Sequence, residues 1–277
     1  MRRSRCLDDK PNQRTYVLNK SPSTVEICII GSGTGIPSPR RRPPALVVRV
    51  KGYTLLFDCG AGTIWSLAEA GLDYRDLDSL WFTHFHPDHT AGLVPLLFAA
   101  RSPDYGRKKP LLVGGATGLK DFFRRLHGVY GSWIELDPAL LTFEEIEHTD
   151  STEIKLPFGK LFTLQMNHTK ESLGYRLETK DSFVISYSGD TEYCSNAVTL
   201  AREADLFFCE CSFPDNLEVK GHLTPQWAGR IAREADCKHL VLIHLYPMCD
   251  EIDVVAACGK EYSGEIVLAE DFMRFRF

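Results

Sequence analysis

The stretch "LWFTHFHPDHTAG", residues 80–92, places three histidines and an aspartate within six positions, from His84 to His89. Its first three residues are apolar and predict a strand, and residues two apart on a strand face the same way. We therefore expect His84 and His86 to point off the end of this strand toward one spot. The proline after them ends the strand, and the following residues predict a helix. The first turn of that helix would aim Asp88 and His89 at a second spot a few ångströms away.

Imidazole and carboxylate side chains are the ligand types that suit zinc, manganese and iron. Two neighbouring spots fit a pair of metal ions about 3.5–4 Å apart. The alternative is a polar loop in which the histidines only form hydrogen bonds. That alternative is disfavoured because burying imidazoles and acids without partners is costly. The stretch therefore predicts a dinuclear metal site at the end of a strand.

The chain has 277 residues, 44% of them hydrophobic and 25% charged, which is enough for a sizeable core in one large or two small domains. A net charge of −5 gives no overall attraction to nucleic acid or anionic membranes. The longest apolar stretch, residues 90–100, is too short to span a bilayer. The start of the chain lacks the apolar region of a signal peptide, and the nine cysteines are scattered. We expect a cytoplasmic protein with reduced thiols and no membrane partner.

Residues 1–24 lack apolar periodicity and are expected to form a flexible leader. The rest, 25–277, contains no low-complexity tract or linker, so we expect a single domain. Strands and helices follow one another from "VEICII" (25–30) to "GEIVLAED" (264–271), which we expect to contain the last strand. This mixture predicts an α/β sandwich with mixed sheets. The segment "YTLLFDCGAG" parallels "SFVISYSGDT", and "LDSLWFTHFHP" parallels "CKHLVLIHLYP", which suggests an internal duplication.

The loop "GSGTGI", residues 31–36, superficially suggests dinucleotide binding. The dinucleotide fingerprint is G-x-G-x-x-G at the start of a helix. Here the glycines run G-x-G-x-G, and Pro37 and Pro39 prevent a helix from starting immediately. We instead predict a tight turn that brings backbone close to a site.

The arrangement H-x-H-x-D-H of residues 84–89 closely resembles a motif of the metallo-β-lactamase-fold hydrolases. The resemblance implies three further metal ligands in chain order. His168 in "LQMNHTKESLGYRL", Asp190 in "ISYSGDTE" and His244 in "LVLIHLYP" occupy these positions. The segment "FDCGAGT" resembles a second motif of the family, whose aspartate, here Asp58, supports the site from behind.

The resemblance implies an αββα four-layer sandwich, with two mixed sheets between outer helices. It also implies two divalent metal ions per chain, with zinc expected and manganese or iron as alternatives. An acid at position 86 would indicate a flavodiiron protein, and a mononuclear dioxygenase would lack ligands of the second metal; neither departure occurs. Asp190 and a hydroxide are expected to bridge the metals. The ligands implied are His84, His86 and His168 for one metal, and Asp88, His89 and His244 for the other.

The segment "CECSFPDN…GHLTPQWAGRIA" resembles the ribonuclease Z group within this fold, as do "GSGTGIPSPRRRPPA" and "HTKESLGYRL". By this resemblance His222 would protonate the leaving oxygen, and Glu210 would hold the orientation of His222. A helix-capping or surface role is the alternative for His222. Asp88 would also orient the nucleophile. The predicted catalytic residues are therefore Asp88, Glu210 and His222.

One feature departs from the ribonuclease Z pattern. Bacterial members insert a long arm that grips tRNA between the third-motif histidine and the bridging aspartate, whereas His168 and Asp190 are 22 positions apart. The basic runs at 107–109 and 124–125 offer partial compensation, and another lies at 40–42. Arm-less relatives include small phosphodiesterases such as the phosphonate-pathway cyclic phosphodiesterase. That enzyme carries an additional cysteine/histidine zinc site, for which "PSPRRRPPA" supplies no ligands.

We therefore expect a dinuclear metal-dependent hydrolase of phosphodiesters, with a metal-bridging hydroxide as nucleophile and a small phosphodiester or RNA as substrate. One alternative keeps the metals and changes the substrate to a lactone or thioester. A second is a tRNA 3′-processing endoribonuclease. A third is a non-catalytic, metal-loaded binding module, which the complete ligand set disfavours. The resemblance is also compatible with a homodimer.

Overall fold

The structure, a computed structural model, describes residues 14–17, 25–147 and 152–277. Two β-sheets pack face to face, and helices cover their outer faces. This is the α/β four-layer αββα architecture that the resemblance predicts. No helix in the described part of the chain has the length and apolar character needed to cross a membrane.

The first sheet consists of eight strands within the described residues. These are β1 (Thr15–Val17), β2 (Val25–Gly31), β3 (Ala45–Val50), β4 (Tyr53–Phe57), β5 (Ser79–Trp81), β6 (Leu111–Ala116), β7 (Leu141–Ile146) and β15 (Arg274–Arg276). Their spatial order is β1-β15-β2-β3-β4-β5-β6-β7. Strands β4 to β7 run parallel, whereas β15, β2, β3 and β4 are antiparallel neighbours, so the sheet is mixed.

The second sheet has seven strands in the described residues. These are β8 (Thr152–Leu156), β9 (Gly159–Gln165), β10 (Leu173–Thr179), β11 (Val184–Tyr187), β12 (Leu206–Glu210), β13 (His239–Ile243) and β14 (Glu265–Leu268). Their order is β14-β13-β12-β11-β10-β9-β8. The first four in this order are parallel and the rest antiparallel, so this sheet is mixed as well.

Helices cover both outer faces of the sandwich. On the first sheet pack α1 (Thr63–Glu69), α3 (Leu93–Ala100) and α4 (Leu119–Tyr130), and the short α2 (Pro87–Thr90) precedes α3. On the second sheet pack α5 (Ser195–Ala201), α6 (Pro225–Glu234) and α7 (Val254–Cys258). Both faces of each sheet are therefore buried, and the polar strand ends are left as the place for a site.

Alternate side chains of β2 pack into two different hydrophobic cores. Ile27 and Ile29 lie in the core between the sheets, whereas Cys28 and Ile30 lie in the core under the helices. This follows from the two-residue period of a strand. A strand buried on both faces reads as an unbroken apolar run, as "VEICII" nearly does.

Three expectations need correction. The last strand is β15, not the one in "GEIVLAED". Within the expected flexible leader 1–24, Thr15–Val17 forms β1, because β15 offers a parallel edge and Tyr16 stacks on Phe275 with ring centroids 5.3 Å apart. Residues 1–13 and 18–24 lie outside the described residues. The suggested duplication is incomplete: β4 pairs directly with β5, but β12 lies between β11 and β13.

Candidate metal centre

The predicted ligands lie where strands end, at one edge of the sandwich. His84 and His86 follow β5, and His168 follows β9. Asp190 follows β11, and His244 comes directly after β13 with a backbone φ of 59°. Residues distant in the chain thus meet because the ends of neighbouring strands share an edge.

Asp88 and His89 belong to α2, which begins at Pro87 as the sequence indicates. The helix predicted after this proline is not continuous: α2 ends at Thr90, and α3 begins at Leu93. The chain at Gly92 passes so close to the loop after β4 that an added Cβ would lie 2.4 Å from the carbonyl oxygen of Gly60. This close contact accompanies the break between the helices and leaves Asp88 and His89 on a short turn facing the other histidines.

The first group of ligands consists of His84, His86, His168 and Asp190, whose candidate ligand atoms lie within 4.8 Å of one another. Nε2 of His168 is 3.1 Å from Nδ1 of His86. Nε2 of His84 and Nε2 of His168 are each 3.8 Å from Oδ2 of Asp190. Two atoms bound to one tetrahedral zinc ion are about 3.4 Å apart, so these spacings suit a shared ion.

The second group consists of Asp88, His89 and His244, and Asp190 again completes it. Nε2 of His89 lies 3.3 Å from Nε2 of His244. Oδ2 of Asp88 lies 3.5 Å from Nε2 of His244. Oδ1 of Asp190 is 3.4 Å from Nε2 of both His89 and His244. The two oxygens of Asp190 therefore face different groups.

The donor atoms fit divalent cations. Nε2 of His84 and Oδ1 of Asp190 are buried without a hydrogen-bond partner among the described residues. Buried polar atoms are rarely left unsatisfied, and such an orphan needs an explanation such as an ion. Burial favours the neutral acid, yet His244 and His89 hold the pKa of Asp190 well below its usual range. The site thus presents an ionised carboxylate among imidazole nitrogens, a donor set for zinc-like metals.

Other residues fix the rings of the histidines through their second nitrogen. Nδ1 of His84 lies 3.0 Å from Oγ1 of Thr83. Nδ1 of His168 lies 2.8 Å from the carbonyl oxygen of Gly221. Nδ1 of His244 lies 3.0 Å from Oγ of Ser212. Such contacts fix ring orientation and leave Nε2 free to bind a metal.

Asp58 supports His89 from behind, as the resemblance implies. Its side chain is fully buried and follows β4 in a left-handed backbone conformation with φ of 57°. Oδ2 lies 2.9 Å from Nδ1 of His89 and accepts a hydrogen bond from the hydroxyl of Tyr187 at 2.9 Å. Oδ1 accepts from the backbone N–H of Thr83 at 2.8 Å. The carboxylate therefore joins both sheets directly beneath the metal ligands.

The glycine loop predicted to approach a site does so at Gly35. Its N–H donates to Oδ2 of Asp88 at 3.1 Å. A Cβ at this position would lie 3.1 Å from Cβ of Asp88, which is tighter than ordinary contact. The loop therefore holds Asp88 by a backbone contact.

His222 and Glu210 lie together at the rim of the centre. Nδ1 of His222 is 3.3 and 3.4 Å from the two carboxylate oxygens of Glu210, which is almost fully buried. Glu210 also accepts from the N–H groups of Thr191 and Leu223, so it is held rigidly. Burial lowers the pKa of His222, but the hydrogen bond and charge of Glu210 outweigh this and raise it to about 9.

Arginines of the basic runs at 40–42, 107–109 and 124–125 form contacts within the fold. The guanidinium of Arg41 bonds to Asp250 and to the carbonyl oxygen of Ala269. Arg107 is buried and donates to the carbonyl oxygens of Leu77 and Pro110. Both cations are therefore engaged within the fold. In the last run, Arg124 and Arg125 pair with Asp121 on the exposed side of α4.

Sequence reasoning missed several residues that hold the site. Ser212 links two functional groups, because its hydroxyl donates to Glu210 at 2.6 Å and lies 3.0 Å from Nδ1 of His244. Tyr187 and Thr83 both contact Asp58. The only available signal was their position beside a motif residue: Ser212 is two residues after Glu210, and Thr83 directly precedes His84.

The sequence of the chain matches that of known proteins. The sequence profile of a family described as "Anti-Pycsar protein Apyc1" matches residues 25–225. Ribonuclease Z of Methanosarcina acetivorans is 28% identical over 297 residues, covering 90% of this chain and 97% of that protein. The alignment is longer than the part of this chain that it covers, so the relative contains insertions.

Two solved structures resemble the fold closely. The metallo-β-lactamase-fold protein YhfI from Bacillus subtilis has a TM-score of 0.78 and 23% identity, over 92% of this chain and all of that one. The short form of human tRNase Z has a TM-score of 0.73 and 28% identity, over 90% of this chain and 98% of that one. The αββα sandwich is thus the metallo-β-lactamase fold.

Proposed function

The chain belongs to the family described as "Anti-Pycsar protein Apyc1", within the ribonuclease Z-like hydrolases of the metallo-β-lactamase fold, and we propose that it is a dinuclear metal-dependent phosphodiesterase. The observation that carries the proposal is the position of Asp190. Its two oxygens face two separate groups of histidines, 3.4 Å from one group and 3.8 Å from the other. A carboxylate placed in this way suits two neighbouring cations.

The proposed ligands are those named from the sequence, and zinc is the metal that this set of imidazoles and carboxylates suits best, with manganese or iron as alternatives. Two bound divalent cations supply a water of lowered pKa and neutralise charge that develops on phosphate oxygens. The two groups are His84, His86 and His168 on one side, and Asp88, His89 and His244 on the other, with Asp190 shared.

The side chains of this protein supply orientation and proton transfer. Asp88, held by the N–H of Gly35, is proposed to accept a hydrogen bond from the attacking water and so to aim it at phosphorus. His222 is proposed to give a proton to the leaving alkoxide from Nε2, since Nδ1 faces Glu210. The carboxylate of Glu210 favours the charged form of the His222 imidazole and keeps its ring in place.

A phosphodiester suits this arrangement better than a thioester. A thiolate leaves without needing a strong acid, whereas an alkoxide expelled from phosphorus benefits from a proton donor at a fixed position. His222, paired with a buried carboxylate, is such a donor.

A small phosphodiester is favoured over tRNA by the connection between His168 and Asp190. Strands β10 and β11 occupy this segment, and residues 180–183 join them as a short hairpin. No tRNA-gripping arm of the kind expected in bacterial ribonuclease Z fits there. The names of the relatives keep tRNA 3′-processing as the second candidate.

The test incubates the zinc-loaded full chain with four substrates and measures the hydrolysis of each. The substrates are bis(4-nitrophenyl) phosphate, a cyclic nucleotide, a precursor tRNA and a lactone. The proposal expects turnover of the first two and little cleavage of the lactone or of the tRNA. Cleavage of the precursor tRNA at its 3′ end would favour the second candidate. Turnover of the lactone alone would overturn the assignment to phosphodiesters, and a metal-loaded chain inactive on all four would support a binding module.

Three further properties of the chain are proposed. We propose that residues 25–277 act as one domain, because β15 returns to pair with β2. A homodimer is supported by exposed aromatic side chains at Phe98 and Trp133, whose rings lie 6.1 Å apart. A cytoplasmic location is supported by the cysteines, which are unpaired throughout the described residues.

A further inference from the structure

The loop between β2 and β3, residues 32–44, is held at its base by Asp271, which lies 239 positions after Ser32 in the chain. Oδ1 of Asp271 accepts hydrogen bonds from the backbone N–H of Ser32 at 2.9 Å and from its hydroxyl at 2.8 Å. Oδ2 accepts from the backbone N–H of Arg42 at 2.9 Å. The side chain of Asp271 is only 10% exposed. One largely buried carboxylate therefore joins the two ends of the β2–β3 loop.

Arg41 anchors the same loop to the segment that follows His244. Its guanidinium donates to Oδ1 of Asp250 at 3.0 and 2.9 Å and to the hydroxyl of Ser32 at 3.1 Å. Arg41 is buried, and a hydrogen bond shielded from water is electrostatically stronger than one in solvent. Because Asp250 lies six positions after His244, the base of the loop and the chain after this candidate ligand are held together.

The β2–β3 loop contacts the second group of candidate ligands at two points. The N–H of Gly35 donates to Oδ2 of Asp88 at 3.1 Å. The carbonyl oxygen of Ser32 accepts from the N–H of Leu245, the residue after His244, at 3.1 Å. Among the described residues, no hydrogen bond joins this loop to the three histidines of the first group. A shift of the loop would therefore displace ligands of the second group and leave the first group in place.

We propose that Asp271 is a positioning residue of the metal centre, which acts through the β2–β3 loop on Asp88 and His244 and so controls the affinity for the cation of the second group. The inference rests on the proposed dinuclear centre and extends it to a residue outside the ligand set. Asp271 contacts none of the seven candidate ligands among the described residues, so its influence passes through Ser32 and the loop. Replacing groups that orient metal ligands usually weakens metal binding by about 10- to 100-fold.

The test resolves the two zinc-binding steps of the full chain by competition with chromophoric chelators of graded affinity. Asp271→Asn keeps the size of the side chain but places an NH₂ group against a backbone N–H at one end of the loop. It should weaken one step by about tenfold, the lower end of the usual range, and leave the other unchanged. Ser32→Ala removes the hydroxyl contact with Asp271 but keeps the backbone contacts, so it should weaken the same step less.

Diffraction assigns the affected step to a group of ligands. Crystals of Asp271→Asn with one equivalent of zinc should show anomalous scattering from zinc at the first group, among His84, His86 and His168. The second group should be empty of zinc in these crystals. This measurement is independent of turnover, and a general loss of stability would not produce such a selective occupancy.

The matched control is Asp78→Asn. Oδ2 of Asp78 likewise accepts from a backbone N–H, that of Thr54 at 2.8 Å, and pairs with Lys109 at 2.8 Å. Asp78 precedes β5, at the end of the strand opposite to His84. Its replacement removes a comparable contact far from the candidate ligands, so it should lower Tm and leave both zinc-binding steps unchanged.

Equal weakening of both steps in Asp271→Asn, or no change in either, would overturn the inference, as would a wild-type chain with a single zinc-binding step. If Asp271→Asn does not fold, Ser32→Ala decides by the same criteria. Hydrolysis of bis(4-nitrophenyl) phosphate is measured on the same samples. A wild-type chain that binds two zinc ions without turnover would refute the phosphodiesterase, whereas a selective loss of one step would still support the role of Asp271.

Discussion

Oδ2 of Asp58 lies 2.9 Å from Nδ1 of His89, and both side chains are fully buried. We predict that Asp58→Asn weakens metal binding by roughly 10- to 100-fold, the usual effect of removing a group that orients a metal-bound histidine. The amide keeps the size of the carboxylate, but its NH₂ group would face donors, including the hydroxyl of Tyr187. Competition with a chromophoric chelator measures the affinity.

The matched control for Asp58→Asn is Asp181→Asn. Asp181 is partly exposed and pairs with Lys51 at 2.8 Å on the surface, where such pairs contribute little to stability. Its replacement should leave metal affinity unchanged. An Asp58→Asn protein that binds metal as tightly as this control would show that Asp58 does not support the site.

A glycine behind His168 gives a second prediction. Gly221 has φ of 84°, and a Cβ there would lie 2.7 Å from Nδ1 of His168. Gly221→Ala should therefore displace His168 and lower both metal content and turnover, which elemental analysis and an ester assay measure. Gly52 has the same φ, and no atom lies within 4 Å of its Cβ position.

Gly52→Ala thus adds the same backbone strain, about 1–2 kcal/mol, without any contact with the site. It should lower thermal stability and leave metal content intact. Comparable metal loss in the two variants would mean that backbone strain, and not displacement of His168, accounts for the effect of Gly221→Ala.

The effect of replacing His222 on kcat is expected to increase with the basicity of the leaving group. His222→Ala should reduce kcat for an alkyl phosphodiester by about 10²- to 10⁴-fold. The loss for bis(4-nitrophenyl) phosphate should be much smaller, because 4-nitrophenolate leaves without a proton. Glu210→Gln should show the same dependence more weakly. An equal loss on both substrates at full metal content would argue that His222 does not act as the acid.

Metal removal should destabilise the fold as well as stop turnover. Without cations, Oδ1 of Asp190 and Nε2 of His84 are buried without a hydrogen-bond partner among the described residues. Metal present at 100 times its Kd stabilises the folded chain by about 2.7 kcal/mol. For a chain of this size that predicts a fall in Tm of roughly 5–10 °C on chelation. Scanning calorimetry before chelation, after it and after zinc is restored measures the shift; an unchanged Tm would contradict a buried metal centre.

The sequence predicts where the seven candidate ligands lie because they fall in motifs at the ends of strands or, for Asp88 and His89, in the short helix α2 that follows β5. His84 to His89 are a local pattern, and the resemblance supplies His168, Asp190 and His244. The structure adds that the last of these has a left-handed backbone and that the glycine loop contacts Asp88. The positions were predictable, whereas the distances between them required the fold.

Other features depend on contacts that a local pattern does not record. Ser212 joins Glu210 to His244 only because β12 and β13 are neighbours. Strand β1 exists because β15, more than 250 positions along the chain, offers it an edge. The break after α2 coincides with the close approach of Gly92 to the loop after β4. In each case the contact comes from an element distant in sequence.

The central claim is that Asp190 serves two cations at once. Protein purified without chelator and dialysed against zinc should contain two equivalents per chain by inductively coupled plasma mass spectrometry. Asp190→Ala should retain less than one equivalent and lose turnover, and His86→Ala should lose metal and turnover as well. A wild-type chain that binds a single equivalent at saturation, or an Asp190→Ala chain that still holds two and hydrolyses phosphodiesters, would contradict the account.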